Sequence, residues 1–293
     1  MINFTRILEQ GWVRSAQWYP TIDSTNSQLR RELSEFEANA SNDLSAMNDA
    51  AIAGLPRLIV ADEQTAGRGR GDHTWWSPEG CLMSSIAIHA NSAQALSIPY
   101  LVAIAIAQTI ESQLEGDSRC KIKWPNDVYV DDRKIAGVLI EQLTCRSQSI
   151  WIIGTGINVD VDFTRAPTQV QSKAVSLSTL LAPIASRSLR HEEWMTEILT
   201  TFIVNLRKQL LETQANPTAW RLEWSNRCYL IGKTIEATVS DWDRNFTEQT
   251  PPSRSLGVCL GLDQDGHLLI LHESGSIGKI VTGSVRIVQN GIV

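Results

Sequence analysis

The run Ile98 to Ile110, centred on Ala103-Ile104-Ala105-Ile106-Ala107 and bounded by Gln108 and Glu111, is the most apolar stretch of the chain. Its composition predicts a helix enclosed in a core. It is too short to cross a bilayer, which needs about 20 apolar residues. A helix of this kind must be covered by other elements, so a layered fold is expected. With 293 residues, 43% of them hydrophobic, the chain is long enough to enclose it in one large domain and still form a second, small one.

Charge and cysteine usage narrow the setting. A net charge of −6 and a pI near 5.4 weigh against a broad nucleic-acid surface, while leaving room for a local basic loop. The five cysteines, Cys81, Cys120, Cys145, Cys228 and Cys259, are scattered without a C-x-x-C pair or a histidine at metal-ligand spacing, so they read as reduced thiols. The segment Met1 to Gly11 carries Arg6 and Glu9 and lacks the long apolar run of a signal peptide. A cytoplasmic location, with no membrane contact, is the expectation.

Along the chain, Asp23-Ser24-Thr25-Asn26-Ser27-Gln28-Leu29 offers small polar caps for a helix over Gln28 to Phe36. Glu37 to Leu55 lacks periodicity and reads as a long surface connection. Leu58 to Ala61 reads as a buried strand that delivers Asp62-Glu63-Gln64-Thr65-Ala66-Gly67-Arg68-Gly69-Arg70-Gly71. A second strand is expected at Leu82 to Ile88, and a hairpin with arms Val128 to Val130 and Ile135 to Glu141 across Asp131 to Lys134. The strand Ile150 to Ile153 is expected to end in a tight turn at Gly154-Thr155-Gly156. His191 to Leu211 places Trp194, Ile198, Phe202 and Leu206 on one helical stripe. Beyond Cys228 come short strands at Thr234 to Val239, Gly257 to Leu262, His267 to Leu271 and Ser284 to Val288, a turn at Asp263 to Gly266 and a loop at Asn245 to Ser255. The reading is α+β: a mixed sheet with packed helices, then a small β-barrel.

Two segments concentrate chemistry. In Gly67-Arg68-Gly69-Arg70-Gly71 the glycines let backbone N–H groups approach a ligand while two guanidiniums stand by, an anion-binding design. It lacks the Gly-Lys-Ser/Thr ending of a Walker loop. Lys123-Trp124-Pro125-Asn126-Asp127 sets a cation, an aromatic, a rigid turn and two short polar groups within five positions. Lys134, Ser24-Thr25-Asn26 and Gly154 to Asn158 read singly as a hairpin lysine, a helix cap and a tight turn, although the Asn158 amide suits a phosphate or a hydrated metal.

These segments, in this order, closely resemble the biotin–protein ligase family over nearly the whole chain: Ser24 to Asn26, Gln64 to Arg70, Lys123 to Asp127, Lys134 and Gly154 to Asn158 match its motifs. The resemblance implies a class II synthetase-like (biotin–lipoyl ligase) catalytic domain over residues 1–228 and an SH3-like barrel over residues 229–293. It implies a ligase that joins biotin to ATP as biotinyl-5'-AMP and passes biotin to a lysine of a biotin carboxyl carrier protein, that of acetyl-CoA carboxylase. Carried over residue by residue, Ser24, Thr25, Asn26, Gln64, Gly67, Arg68, Gly69, Arg70 and Lys134 would hold biotin and the adenylate. Arg68, Lys123, Asn126 and Asn158 would hold ATP, and Arg70, Asp127 and Lys134 would act in catalysis, Asp127 by receiving the acceptor ammonium. Mg²⁺ is implied by ATP chemistry, without named protein ligands. The Gly67 to Thr74 loop is expected to close over the adenylate.

The alternatives are a lipoate–protein ligase or octanoyl transferase, and a biotin-sensing protein without turnover. Two departures from the family pattern matter. Where related loops carry a further basic residue, this one continues Gly71-Asp72-His73-Thr74. Only Met1 to Ile22 precedes the first motif, too little for a helix-turn-helix domain, so no DNA partner is expected.

Overall fold

A computed structural model describes residues 2–38, 54–90, 95–114, 120–145, 148–181, 191–238 and 254–288. Its larger sheet contains β1 (Ser15–Ile22), β2 (Arg57–Gln64), β3 (Cys81–His89), β4 (Lys121–Lys123), β5 (Asp127–Val130), β6 (Arg133–Cys145) and β7 (Gln148–Asn158). The spatial order is β1-β2-β3-β7-β6-β5-β4. β1 and β2 run parallel and the other neighbours antiparallel, which makes the sheet mixed as expected.

Helices cover both faces. α1 (Phe4–Leu8), α3 (Ile98–Glu111) and α6 (His191–Ala215) lie on one side together with α7 (Ala219–Arg227), and α2 (Thr25–Ala38) lies on the other. Two further short helices, α4 (Thr168–Gln171) and α5 (Leu177–Leu181), follow β7. The apolar run becomes α3, with Pro99 in its first turn, and Ile98 and Leu101 to Ala107 are fully buried against the sheet and α6. Alternation along the strands sorts side chains between the layers: Leu58, Val60 and Ile86 face α3, whereas Ile59, Ala87, Ile150 and Ile152 face Leu29 and Leu33 of α2. No helix of the described residues is long and apolar enough to cross a membrane.

A second sheet, ordered β11-β10-β9-β8-β12, joins β8 (Thr234–Thr238), β9 (Arg254–Leu262), β10 (Leu268–Leu271), β11 (Ile277–Ile280) and β12 (Ser284–Ile287), all antiparallel, in an SH3-like arrangement. Its inward residues Ile235, Ala237, Cys259, Leu268, Ile270 and Val285 are buried. It docks on the larger domain: in the chain leading to β8, Tyr229 N–H donates to the Ile122 carbonyl of β4 at 2.9 Å, and Tyr100 O–H of α3 donates to the Gly266 carbonyl while its ring stacks on Trp220 of α7 at 4.6 Å. The turn Asp263 to Gly266 forms as expected, with Gly266 at φ +88°.

The structure corrects several local expectations. Gly154 to Asn158 is not a turn: β7 runs through to Asn158, held by pairing with both β3 and β6. Ladder bonds on two sides outweigh the local turn signal of the glycines. β9 begins at Arg254, taking Arg254 and Ser255 from the expected loop; the rest of that loop lies outside the described residues. α2 continues to Ala38, so the expected connection begins two residues later, and its residues 39–53 lie outside the described residues. α1, β1, α7 and β11 carry weak periodic signals and were not expected.

Candidate active site

Strand alternation creates the site. On the α2 side, β7 presents Ile150, Ile152, Gly154 and Gly156 in succession. The isoleucines sit beneath α2, Gly154 lies under Asn26 in the first turn of that helix, and Gly156 lies beyond the turn. The Trp75 indole lies there instead. A Cβ on Gly156 would come within 2.5 Å of it, and one on Gly137, the partner of Gly156 in β6, within 3.0 Å. Gly154 serves Asn26 in the same way: a Cβ there would lie 3.1 Å from the Asn26 amide nitrogen and overlap the rest of the amide.

A chain of hydrogen bonds runs beside these glycines. Ser85 Oγ donates to Thr25 Oγ1 (2.6 Å), Thr25 Oγ1 to Gln64 Oε1 (3.2 Å), Gln64 Nε2 to Ser77 Oγ (3.1 Å) and Ser77 Oγ to the Trp75 carbonyl (3.1 Å). Thr25 N–H also donates to Gln64 Oε1 at 2.8 Å. The Thr25 N–H can only donate, which turns the oxygen end of the Gln64 amide toward Thr25, and Ser85 Oγ, with a single proton, stands 2.6 Å from both Thr25 Oγ1 and Asn26 Oδ1. Thr25 and Asn26 are both nearly inaccessible at 4% and 3% exposure, which makes this a preorganised, neutral polar surface. Ser24, also buried, acts through its Oγ as a loose cap for Ser27 N–H at 3.5 Å.

Charge gathers at the two ends of this surface. At one end Glu141 Oε2 accepts from Asn26 Nδ2 (2.8 Å) and Arg68 Nη2 (2.5 Å), and Glu141 Oε1 from Arg30 (3.3 Å). At the other end Lys134 Nζ stands 2.7 Å from Asp127 Oδ1 and 5.1 Å from the centre of the Trp75 ring. Lys123, register partner of Asp127, lies nearby over Tyr129; burial lowers its ammonium below the ordinary lysine range, Asp127 opposes that, and Lys134 and Lys173 add to the fall.

The remaining expected residues are placed as follows. Gly67 and Gly69 form a small hairpin, with Trp75 N–H on the Gly67 carbonyl and Gly69 N–H on the His73 carbonyl at 2.7 Å. Gly67 has no room for a side chain, since a Cβ would meet Ser77 Oγ and the Trp75 carbonyl at 2.5 Å. Asn126 Nδ2 donates to the Val138 carbonyl and Asn158 Nδ2 to that of Lys134 (3.3 Å), so both buried amides brace the hairpin that carries Lys134. Arg70 points away from the glycine surface, to the Gly283 carbonyl (3.1 Å) and Thr282 Oγ1 (3.4 Å) of the second sheet. Burial lowers its pKa, with Asp127 opposing. Between the sheets is a cleft of about 300 Å³ lined by Arg70, Tyr100, Trp124, Asn126, Asp265 and His267.

Sequence reading missed Trp75, Ser77, Ser85 and Glu141. Trp75 and Ser77 follow the glycine-arginine loop closely, and a search just beyond that loop would have reached them. Ser85 and Glu141 carry no local signal; strand register alone brings them to Asn26.

Among the described residues, one group of carboxylate and imidazole ligands lies within metal-binding reach, Asp263, Asp265 and His267 on the turn of the second sheet. Asp263 is already paired there with Lys279 at 2.6 Å and His267 at 3.0 Å.

Residues 49–158 match the Biotin/lipoate A/B protein ligase family. The chain is 30% identical over 280 residues to Biotin--protein ligase 1, chloroplastic, of Arabidopsis thaliana, a match that covers 92% of this chain and 68% of the relative. It is 26% identical over 292 residues to the Bifunctional ligase/repressor BirA of Escherichia coli, covering 98% of this chain and 78% of that protein. Among solved structures, the biotin protein ligase of Aquifex aeolicus in complex with biotin and ATP superposes with a TM-score of 0.67 at 24% identity, over 94% of this chain and 100% of the other. That last likeness is one of fold.

Proposed function

Because this chain belongs to the biotin–protein ligase family, we propose that the surface around Gly154 and Gly156 is where it binds biotin and joins it to ATP. The protein is an ATP-dependent ligase that forms biotinyl-5'-AMP and transfers the biotinyl group to a protein lysine. One observation carries the assignment of the site: a neutral, fully ordered polar surface (Thr25, Asn26, Gln64, Ser85) lies between two charged corners, Arg68–Glu141 and Lys134–Asp127. Biotin has the matching chemistry, a neutral ureido ring carrying donors and acceptors and a chain that ends in a carboxylate.

In our reading the ureido ring is held at Thr25, Asn26 and Gln64, and the thioether ring packs against Trp75 over the glycines. The carboxylate then falls near Lys134. Adenylation joins two anions: a carboxylate oxygen bonds to the α-phosphorus of ATP, and the bond to the β-phosphate oxygen breaks with its electron pair leaving on pyrophosphate. Lys134 and Lys123 offset that repulsion in a partly buried setting where charge is weakly screened, while Arg68, paired with Glu141, closes the ureido end. Asn126 and Asn158 contribute by holding the Lys134 hairpin in place. ATP arrives as its magnesium salt, the ion lowering the charge on the phosphates. The ion would be carried by the phosphate oxygens, and no protein ligand is assigned to it.

Asp127, released from Lys134 once the adenylate occupies that lysine, receives the acceptor ammonium and takes its proton, after which the amine attacks the mixed anhydride and AMP departs. The acceptor is the lysine of a biotin carboxyl carrier protein, that of acetyl-CoA carboxylase. We assign residues 1–228 to the catalytic unit and 229–293 to the barrel that braces it, and place the reaction in the cytoplasm, consistent with five free cysteines.

The test is exchange of labelled pyrophosphate into ATP with biotin or lipoate present, followed by the mass of an added carrier domain. Biotin-dependent exchange and a single biotin on the carrier lysine are expected. Lipoate-dependent exchange would overturn the assignment of the site.

A further inference from the structure

The glycine-arginine loop is fastened to the site by a carboxylate that belongs to none of the sequence motifs. Register places it: Gly137, Leu139 and Glu141 of β6 pair with Gly156, Gly154 and Ile152 of β7, so all three face the α2 side of the sheet. Glu141 stands at one end of that row. Its Oε2 accepts from Asn26 Nδ2 at 2.8 Å and from Arg68 Nη2 at 2.5 Å, and its Oε1 accepts from Arg30 Nη2 at 3.3 Å. With 17% of its side chain exposed, the carboxylate is partly withdrawn from water, and it joins the loop, the sheet and α2 at one point.

The other end of the row is covered by the same loop. Arg68 and Thr74 form an antiparallel bridge, Gly69 N–H donates to the His73 carbonyl at 2.7 Å and Trp75 N–H to the Gly67 carbonyl at 3.0 Å, which makes residues 67–75 a small two-stranded finger. Its base is tightly packed, because a Cβ on Gly67 would meet Ser77 Oγ and the Trp75 carbonyl at 2.5 Å. Trp75, next to Thr74, lies on Gly137 and Gly156, with Lys134 Nζ 5.1 Å from its ring centre. The finger thus touches β6 at Glu141 through Arg68 and at Gly137 through Trp75, and spans the surface between them. Arg70 ties its tip to the second sheet, through the Gly283 carbonyl and Thr282 Oγ1. Among the described residues, Glu141 is the one carboxylate that forms an ion pair with the finger.

We propose that Glu141 is a positioning residue of the ligase: by holding Arg68 it keeps the finger, and with it Trp75, down on the glycine surface, and so retains biotinyl-adenylate until the acceptor lysine arrives. The proposal rests on the functional reading above and adds a residue and a role to it. Glu141 touches no reacting atom and acts through Arg68. Arg30 and Asn26, both on α2, keep the carboxylate in place when the finger lifts. The alternative is a surface ion pair without effect on the loop, since exposed pairs contribute little by themselves. The two differ in what the loss of the Glu141 charge does to the finger.

The experiment uses the full chain with Glu141→Gln, Arg68→Gln and both together. The amide that Glu141→Gln introduces can still accept from Asn26 but carries no charge for Arg68. Two rates are measured, tryptic cleavage after Arg70 in the ligand-free protein and release of labelled biotinyl-adenylate from the preloaded enzyme, with the melting temperature alongside. Glu141→Gln is expected to raise both rates about ten-fold, the loss of one charge-assisted contact. Arg68→Gln should match it, and the double variant should be no faster than either single one, because both changes break the same pair. Unchanged rates in Glu141→Gln overturn the proposal, and so do rises that multiply in the double variant. Cleavage spread along the chain with a lower melting temperature marks a general loss of stability and overturns it too. An unsubstituted enzyme that forms no biotinyl-adenylate is a different result: it removes the functional reading and the retention role with it, while the cleavage rates still report whether Glu141 holds the loop.

Discussion

Asp127 and Glu141 show how one carboxylate can do two jobs. Asp127 holds Lys134 at 2.7 Å before substrates bind, and in our mechanism accepts the acceptor ammonium afterwards. Asp127→Asn keeps the shape and removes the base, so transfer from preformed biotinyl-adenylate should fall by about a hundred-fold, the low end of general-base effects, while pyrophosphate exchange falls less. Equal slowing of both, read by single-turnover mass spectrometry, would defeat that role. Glu141 has no motif to announce it, yet it accepts from Asn26, Arg68 and Arg30 together. Removing it leaves the Asn26 amide, itself 3% exposed, short of an acceptor, so Glu141→Ala is expected to raise KM for biotin about ten-fold. A titration of biotin in the exchange assay checks this.

At the scale of elements, β7 shows how far local pattern can be trusted. Isoleucines at Ile150 and Ile152 and glycines at Gly154 and Gly156 lie on one face of one strand, although the glycines alone read as a turn. They are strand residues because β3 and β6 pair with them on both sides, and they are small because Asn26 and Trp75 lie on them. Gly156→Ala should therefore displace Trp75, costing about 1–3 kcal/mol of stability and most of the adenylation activity. Denaturant unfolding and pyrophosphate exchange would measure the two effects. The helix α3 makes the contrasting case, since its apolar run predicts both its structure and its burial. Ile104→Ala there should cost about 2–5 kcal/mol without altering KM for biotin in whatever fraction stays folded.

For the whole molecule, one turn of the second sheet packs closely at the junction with the larger domain. Gly266 sits at φ +88° with Tyr100 against it, and a Cβ there would lie 2.6 Å from the ring. Gly266→Ala should loosen the junction and raise protease sensitivity near residue 264, where Arg221 is bonded to the Gln264 carbonyl. Asp263 in the same turn gives a pH signature. Burial pushes its carboxyl up, but hydrogen bonds from Lys279 and from the His267 and Asp265 backbone outweigh that and hold it well below the usual carboxylate range. A depressed carboxylate stabilises the fold above its unfolded pKa, near 4, and that contribution is lost as pH falls toward the folded value. Asp263→Asn should lower the melting temperature at pH 7, and the gap from the unsubstituted protein should narrow below about pH 4.

The sequence by itself determined the buried helix, the strand that delivers the glycine-arginine loop, the α+β class and, through five ordered motifs, the chemistry. Each of these is read from chain neighbours, through a period of two or of 3.6 or through a short run of reactive groups. Only the tertiary structure decided that Ser85 and Glu141 complete the Asn26 surface, that Arg70 reaches the second sheet, and that Arg68 comes to rest on Glu141. These pairings join residues far apart in the chain, and their only cause is the order and register of the strands, which no local pattern encodes.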